Sequence, residues 1–139
     1  MSDTGQVLKS DTEWQKLLTP DVYAVTRQKA TEPPFSGEYD KFYKAGTYHC
    51  ACCGNPLFGS DAKFNSGTGW PSFWTPHEKN NIKEERDMAH GMIRTEVLCR
   101  QCNAHLGHVF EDGPAPTGLR YCINSLSLKF KPKIETKNN

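Results

Sequence analysis

Four of the six cysteines come in two pairs of identical spacing, Cys50-x-x-Cys53 and Cys99-x-x-Cys102. The residue after each pair is Gly54 or Asn103, types that readily take a left-handed backbone. Such a turn wraps the chain around the sulfurs and aims backbone N–H groups at them. Two turns supply four soft thiolates, the donor set of tetrahedral zinc. A site made of four cysteines has no open coordination position, so the expected zinc is structural. The pairs lie far apart in sequence, so the metal would clip distant parts of the chain together, where closing a long loop helps most. Redox disulfides within the pairs are the alternative. His105 and His108 compete as ligands, since Cys102-x-x-His105 has usable spacing, but the symmetry of the pairs favours the four thiols. Cys52 sits inside the first knuckle, either as a bystander thiol or as a second redox thiol.

Cys122 stands apart, in "GLRYCINSLSLKF". This stretch reads as a β-strand. Alternate side chains of a strand share a face, so Arg120, Cys122 and Asn124 fall on one side and Tyr121 and Ile123 on the core side. An arginine at that distance favours a thiolate and is expected to lower the thiol pKa. A buried, inert cysteine is the plain alternative. The surrounding motifs shift the balance. "HLGHVF" carries His105 and His108, which exchange protons near neutral pH. "SGTGWPSF" presents Trp70 from a glycine-rich loop as an apolar wall.

The elements that must position these residues are short. The chain has 139 residues, a common size for one domain, with its core over about 10–131. Eleven glycines and nine prolines favour turns and short strands over long helices. Ser10 and Glu13 have capping-box spacing, which predicts a helix over 11–18. Thr19-Pro20 opens a second helix carrying Val22 and Tyr23. "TEPPFSGEYD" breaks regular structure and reads as an ordered crossing. From Gly46 onward the pattern is β, with a hairpin in "NIKEERDMAHGMIRTEVLC" turning at Ala89-His90-Gly91. The tail "KPKIETKNN" is polar and expected to fray. A formal net charge of +1 without a basic stripe argues against nucleic acid. No apolar run approaches the roughly 20 residues of a membrane span. The N-terminus shows no signal or transit pattern, so a cytoplasmic location is expected, and metal or redox chemistry is favoured over a secreted disulfide framework.

The combination of "GWPSF", "HLGHVF" and "RYCINS", with the two cysteine pairs and "TEPPFSGEYD", resembles the B-type methionine-R-sulfoxide reductases, the SelR family, over about residues 20–130. The resemblance implies a mainly β fold of two antiparallel sheets, tent-like, with short N-terminal helices packed outside. It implies a structural zinc at Cys50, Cys53, Cys99 and Cys102, remote from the active site. It makes Cys122 the nucleophile and Trp70 the wall for the substrate's ε-methyl group. His105, His108 and Asn124 would bind and polarise the sulfoxide, and Arg120 would help set the thiolate. Methionine-R-sulfoxide in oxidised proteins or peptides would be the substrate, with thioredoxin, glutaredoxin or a small thiol as reductant and the chain as a monomer. One position departs: many members carry a resolving cysteine where this chain has Thr68.

In the chemistry this implies, the Cys122 thiolate attacks the partly positive sulfur while a histidine protonates the oxygen. Cys122 ends as a sulfenic acid, which a second thiol reduces. Two other classes remain: a non-enzymatic zinc interaction module, which has no use for Cys122, Trp70 and the histidines together, and a zinc hydrolase, which needs an open metal position.

Overall fold

The computed structural model describes residues 9–88 and 91–133. Ala89 and His90 of the expected hairpin turn, and residues 134–139 of the polar tail, lie outside the described residues. Helix α1 spans Asp11–Leu17, and the Ser10–Glu13 capping box forms in both directions. Helix α2 spans Pro20–Gln28, with Thr19 at its N-cap and Pro20 in the first helical turn. Lys29 ends it in a left-handed conformation.

Among the described residues nine strands follow: β1 Gly46–Cys50, β2 Pro56–Gly59, β3 Lys63–Phe64, β4 Ser72–Phe73, β5 Ile82–Asp87, β6 Arg94–Cys99, β7 His105–Phe110, β8 Arg120–Ile123 and β9 Leu128–Pro132. They form two antiparallel sheets, ordered β2-β1-β9 and β3-β4-β8-β7-β6-β5. Aromatic rings lock the sheets together. Phe58 of the smaller sheet stacks on Phe73 of the larger at 4.5 Å, and Tyr48 meets Phe73 edge-on at 5.2 Å. All three are fully buried, and rings in these geometries add to the burial of their area. Both cysteine pairs and Ile123 join the same apolar cluster, so the core ties the metal ligands to the strand that carries Cys122.

Two expectations change. The stretch after Gly118 is not one strand. A 3-10 turn at Ser125–Ser127 divides it, so that β8 and β9 belong to different sheets. Polar side chains make the corner: the Leu126 N–H donates to Glu32, and the Ser127 hydroxyl donates to the His105 carbonyl. The tail is also shorter than expected, because Lys131 and Pro132 pair with Thr47 and Gly46.

Candidate active site and zinc centre

The two cysteine knuckles are near copies. In the first, Gly54 N–H donates to the Cys50 carbonyl and Cys50 N–H to the Asn55 carbonyl. In the second, Asn103 N–H donates to the Cys99 carbonyl and Cys99 N–H to the Ala104 carbonyl. Gly54 and Asn103 take φ of 83° and 65°, the left-handed backbone such turns require. The four sulfurs of Cys50, Cys53, Cys99 and Cys102 lie within 4.8 Å of one another. The Cys50–Cys102 and Cys53–Cys99 separations are both 3.6 Å. A regular tetrahedron with Zn–S bonds of about 2.3 Å has edges of about 3.8 Å, close to these two separations, so the set is grouped as a zinc site requires. Cys52 N–H points at Cys50 Sγ and Asn55 Nδ2 at Cys99 Sγ, as thiolates require. All four positions are protein sulfur, and the zinc role is structural. His105 is not part of the set.

Cys122 belongs to a different place. It sits on β8 directly opposite His108 on β7 and Ser72 on β4. Directly opposed residues share a sheet face, which brings the thiol and the imidazole together. A cleft of about 90 Å³ opens on this face, lined by Thr31, Trp70, Arg94, Gly107, His108, Phe110, Cys122 and Asn124. Sites for drug-sized ligands run about 300–1,000 Å³, so this one takes the tip of a side chain. Trp70 forms one wall, its Nε1–H held by the Glu32 carbonyl at 3.0 Å. Asn124 is locked: Oδ1 accepts from Glu32 N–H, and Nδ2 donates to the Leu106 carbonyl. An amide nitrogen has two hydrogens, so one donor is left for a ligand.

His105 does not line the cleft. It is buried behind His108, with the ring centroids 5.6 Å apart. In a regular strand residues three apart face opposite sides. Here the register slips, with Val97 opposite Gly107 but Leu98 opposite His105, and this irregularity in β7 joins the two rings.

Each histidine is held by a carboxylate that is itself held by a cation. His108 Nε2 is 2.8 Å from Asp87 Oδ2, which also meets Arg94 Nη2 at 3.2 Å. His105 Nδ1 is 2.7 Å from Glu96 Oε2, and Lys29 Nζ is 3.1 Å from Glu96 Oε1. Burial pushes the His105 pKa down against the pull of Glu96. A neutral His105 then donates Nδ1–H to Glu96.

The Cys122 thiol overturns the expectation of a lowered pKa. Burial pushes it up, and this outweighs the Thr68 hydroxyl and the Arg120 charge, which both favour the thiolate. Arg120 spends most of its hydrogen bonding elsewhere, in a two-pronged pair with Asp112 at 2.8 and 3.1 Å, while its guanidinium lies over the Phe110 ring. Residues not singled out in the sequence are Thr31, Arg94, Phe110, Asp87 and Glu96. Arg94 Nε is buried and without an acceptor among the described residues, so the cleft wall carries an unused donor. The alternation of "MIRTEV" was visible, but nothing local said that its charged members face a histidine pair.

Comparison with known proteins agrees with this arrangement. The SelR domain model matches residues 18–132. The peptide methionine sulfoxide reductase MsrB of Bradyrhizobium diazoefficiens is 64% identical over 128 residues, covering 92% of each chain. Those of Hahella chejuensis and Acinetobacter baumannii strain ATCC 17978 are 61% and 59% identical, covering 90% and 91% of each chain. With its zinc ligands grouped and its thiol–imidazole pair set in a cleft for a side-chain tip, the chain belongs to the SelR family of B-type methionine sulfoxide reductases.

Proposed function

We infer that the protein reduces methionine-R-sulfoxide, free or in proteins, to methionine, and so repairs oxidised proteins. The observation that carries this reading is the cross-strand pairing of Cys122 with His108 beneath Trp70, in a cleft the size of a side-chain tip. Trp70 receives the ε-methyl group. His108, held by Asp87, and the free donor of Asn124 meet the sulfoxide oxygen. His105 and Arg120 act from behind, the first through His108 and the second through the charge it places near the thiol.

Cys122 sulfur attacks the sulfoxide sulfur, and the oxygen ends on Cys122 as a sulfenic acid. The methionine sulfur gains two electrons and Cys122 loses two. Starting from a neutral thiol, the step needs no net proton: His108 gives one to the oxygen and takes up the thiol proton in return. Two external thiols then return Cys122 to its resting form, with loss of water and formation of their own disulfide. Thr68 occupies the usual resolving position, and Cys52 lies in the zinc knuckle and not in the cleft. This supports a one-cysteine cycle served by thioredoxin, glutaredoxin or a small thiol. None of the six cysteines is joined in a disulfide. A reduced zinc-binding chain suits a cytoplasmic setting, which cell fractionation tests.

The activity test is direct. Each sulfoxide epimer is incubated with the protein and dithiothreitol, and methionine is measured. The R epimer should turn over and the S epimer should not. Cys122→Ser should be folded and inactive, and its normal turnover would sink the reading.

A further inference from the structure

We propose that Glu32 is a positioning residue for the sulfoxide site: its carboxyl, tied to the turn after Cys122, holds in place the main-chain groups that fix Trp70 and Asn124. The inference rests on the reading of the cleft given above. Glu32 is 2% exposed, although it sits in an irregular crossing segment where acidic side chains normally face water. Three hydrogen bonds radiate from it to separate parts of the site. Its carbonyl accepts from Trp70 Nε1 at 3.0 Å. Its N–H donates to Asn124 Oδ1 at 3.0 Å. Its Oε1 accepts from Leu126 N–H at 3.0 Å, in the 3-10 turn that ends β8.

The first two bonds belong to the backbone and work only if the segment is held at the right depth. The side chain is the anchor that sets this depth. It is held from the other side as well, because a Cβ at Gly37 would collide with Glu32 Oε2 and Ser125 Oγ. Oε2 itself has no partner among the described residues. Burial pushes the Glu32 pKa up, against the opposing influence of the neighbouring Ser125 and Leu126 groups. The anchoring role needs reach and one acceptor rather than charge.

This separates two conservative variants. Glu32→Asp keeps the carboxyl and shortens the reach. Glu32→Gln keeps the reach and the acceptor and removes the ionisable group. With R-sulfoxide substrate, Glu32→Asp should raise KM about tenfold, with a smaller change in kcat, because a loosened Trp70 and Asn124 lose ground-state binding. Glu32→Gln should restore KM to near the wild-type value. Zinc content should stay at the wild-type level in both. A wild-type KM in Glu32→Asp, or a defect in Glu32→Gln as large as in Glu32→Asp, overturns the proposal. Wild-type turnover tests the reading of the cleft separately. Should the wild type not turn over, acrylamide quenching of indole fluorescence reads the same contrast. A freed Trp70 makes Glu32→Asp more quenchable than wild type or Glu32→Gln, and equal quenching in all three overturns the anchoring role.

Discussion

Thr68 Oγ1 stands 3.9 Å from Cys122 Sγ. A hydroxyl therefore occupies the place from which a second thiol would reach the nucleophile. Thr68 is held there by Ser66 Oγ at 2.7 Å, which is in turn 2.7 Å from Ser72 Oγ. Thr68→Cys should convert the cycle. After one turnover without reductant, the introduced thiol should condense with the Cys122 sulfenic acid, releasing water, and non-reducing peptide mapping should find the two joined. A stable sulfenic acid in that variant would mean the loop cannot close the remaining gap to a disulfide.

The wild-type chain should behave differently in the same experiment. Incubated with R-sulfoxide and no reductant, it should carry one sulfenic acid, trapped at Cys122 by a dimedone-type reagent and confirmed by mass spectrometry. Cys52→Ser should trap equally and turn over at the wild-type rate with dithiothreitol and with thioredoxin. A disulfide linking Cys52 and Cys122 would refute the one-cysteine cycle.

The zinc centre should act as a fold clip. One zinc per chain is expected, and Cys50→Ser or Cys102→Ser should lose it. Structural zinc in small domains is worth on the order of 10 kcal/mol at neutral pH, so these variants should unfold or melt far below the wild type. His105→Ala should keep its zinc, since that ring serves Glu96 and His108. Metal analysis and thermal melts check all three.

Burial sets the pH behaviour of Cys122. With its pKa raised above the ordinary value of about 8.5, the thiolate becomes abundant only in more alkaline solution. Iodoacetamide should modify Cys122 more slowly at neutral pH than an ordinary thiol, with a rate that climbs through and beyond pH 8.5. The folded chain holds this proton longer than the unfolded one, so this group's contribution to stability is full below the unfolded pKa and is lost as pH rises through the folded one. Arg120→Ala removes a charge that favours the thiolate and should move the alkylation profile higher still. A profile centred near pH 7 would refute the dominance of burial.

The Asp87–His108 pair should carry the proton transfer to the sulfoxide oxygen. His108→Gln should lower kcat by about 10²–10⁴-fold, the range for loss of a positioned acid. Asp87→Asn should lower it less, because it leaves the imidazole in place and weakens only the contact that orients it. Steady-state kinetics across pH with dithiothreitol in excess provides the check.

The parts legible in the chain alone were those written in short-range spacing. Ser10 and Glu13 three apart cap a helix, and Pro20 opens the next. Two C-x-x-C pairs followed by Gly54 and Asn103 specify two metal knuckles, because the left-handed turn and its ligands all lie within five residues. Alternation placed Cys122 opposite the core face of Tyr121 and Ile123. Tertiary structure decided the rest. His105 and His108 share a site only because the register of β7 slips, which a strand's own residues do not reveal. Asp87 and Glu96 reach the histidines from other strands, Arg94 reaches Asp87, and Glu32 reaches Asn124 across most of the chain. The balance at Cys122 also turned on packing. Arg120 is close in sequence and favours the thiolate, but the desolvation that outweighs it comes from everything folded around the strand, and burial has no signature in neighbouring residues.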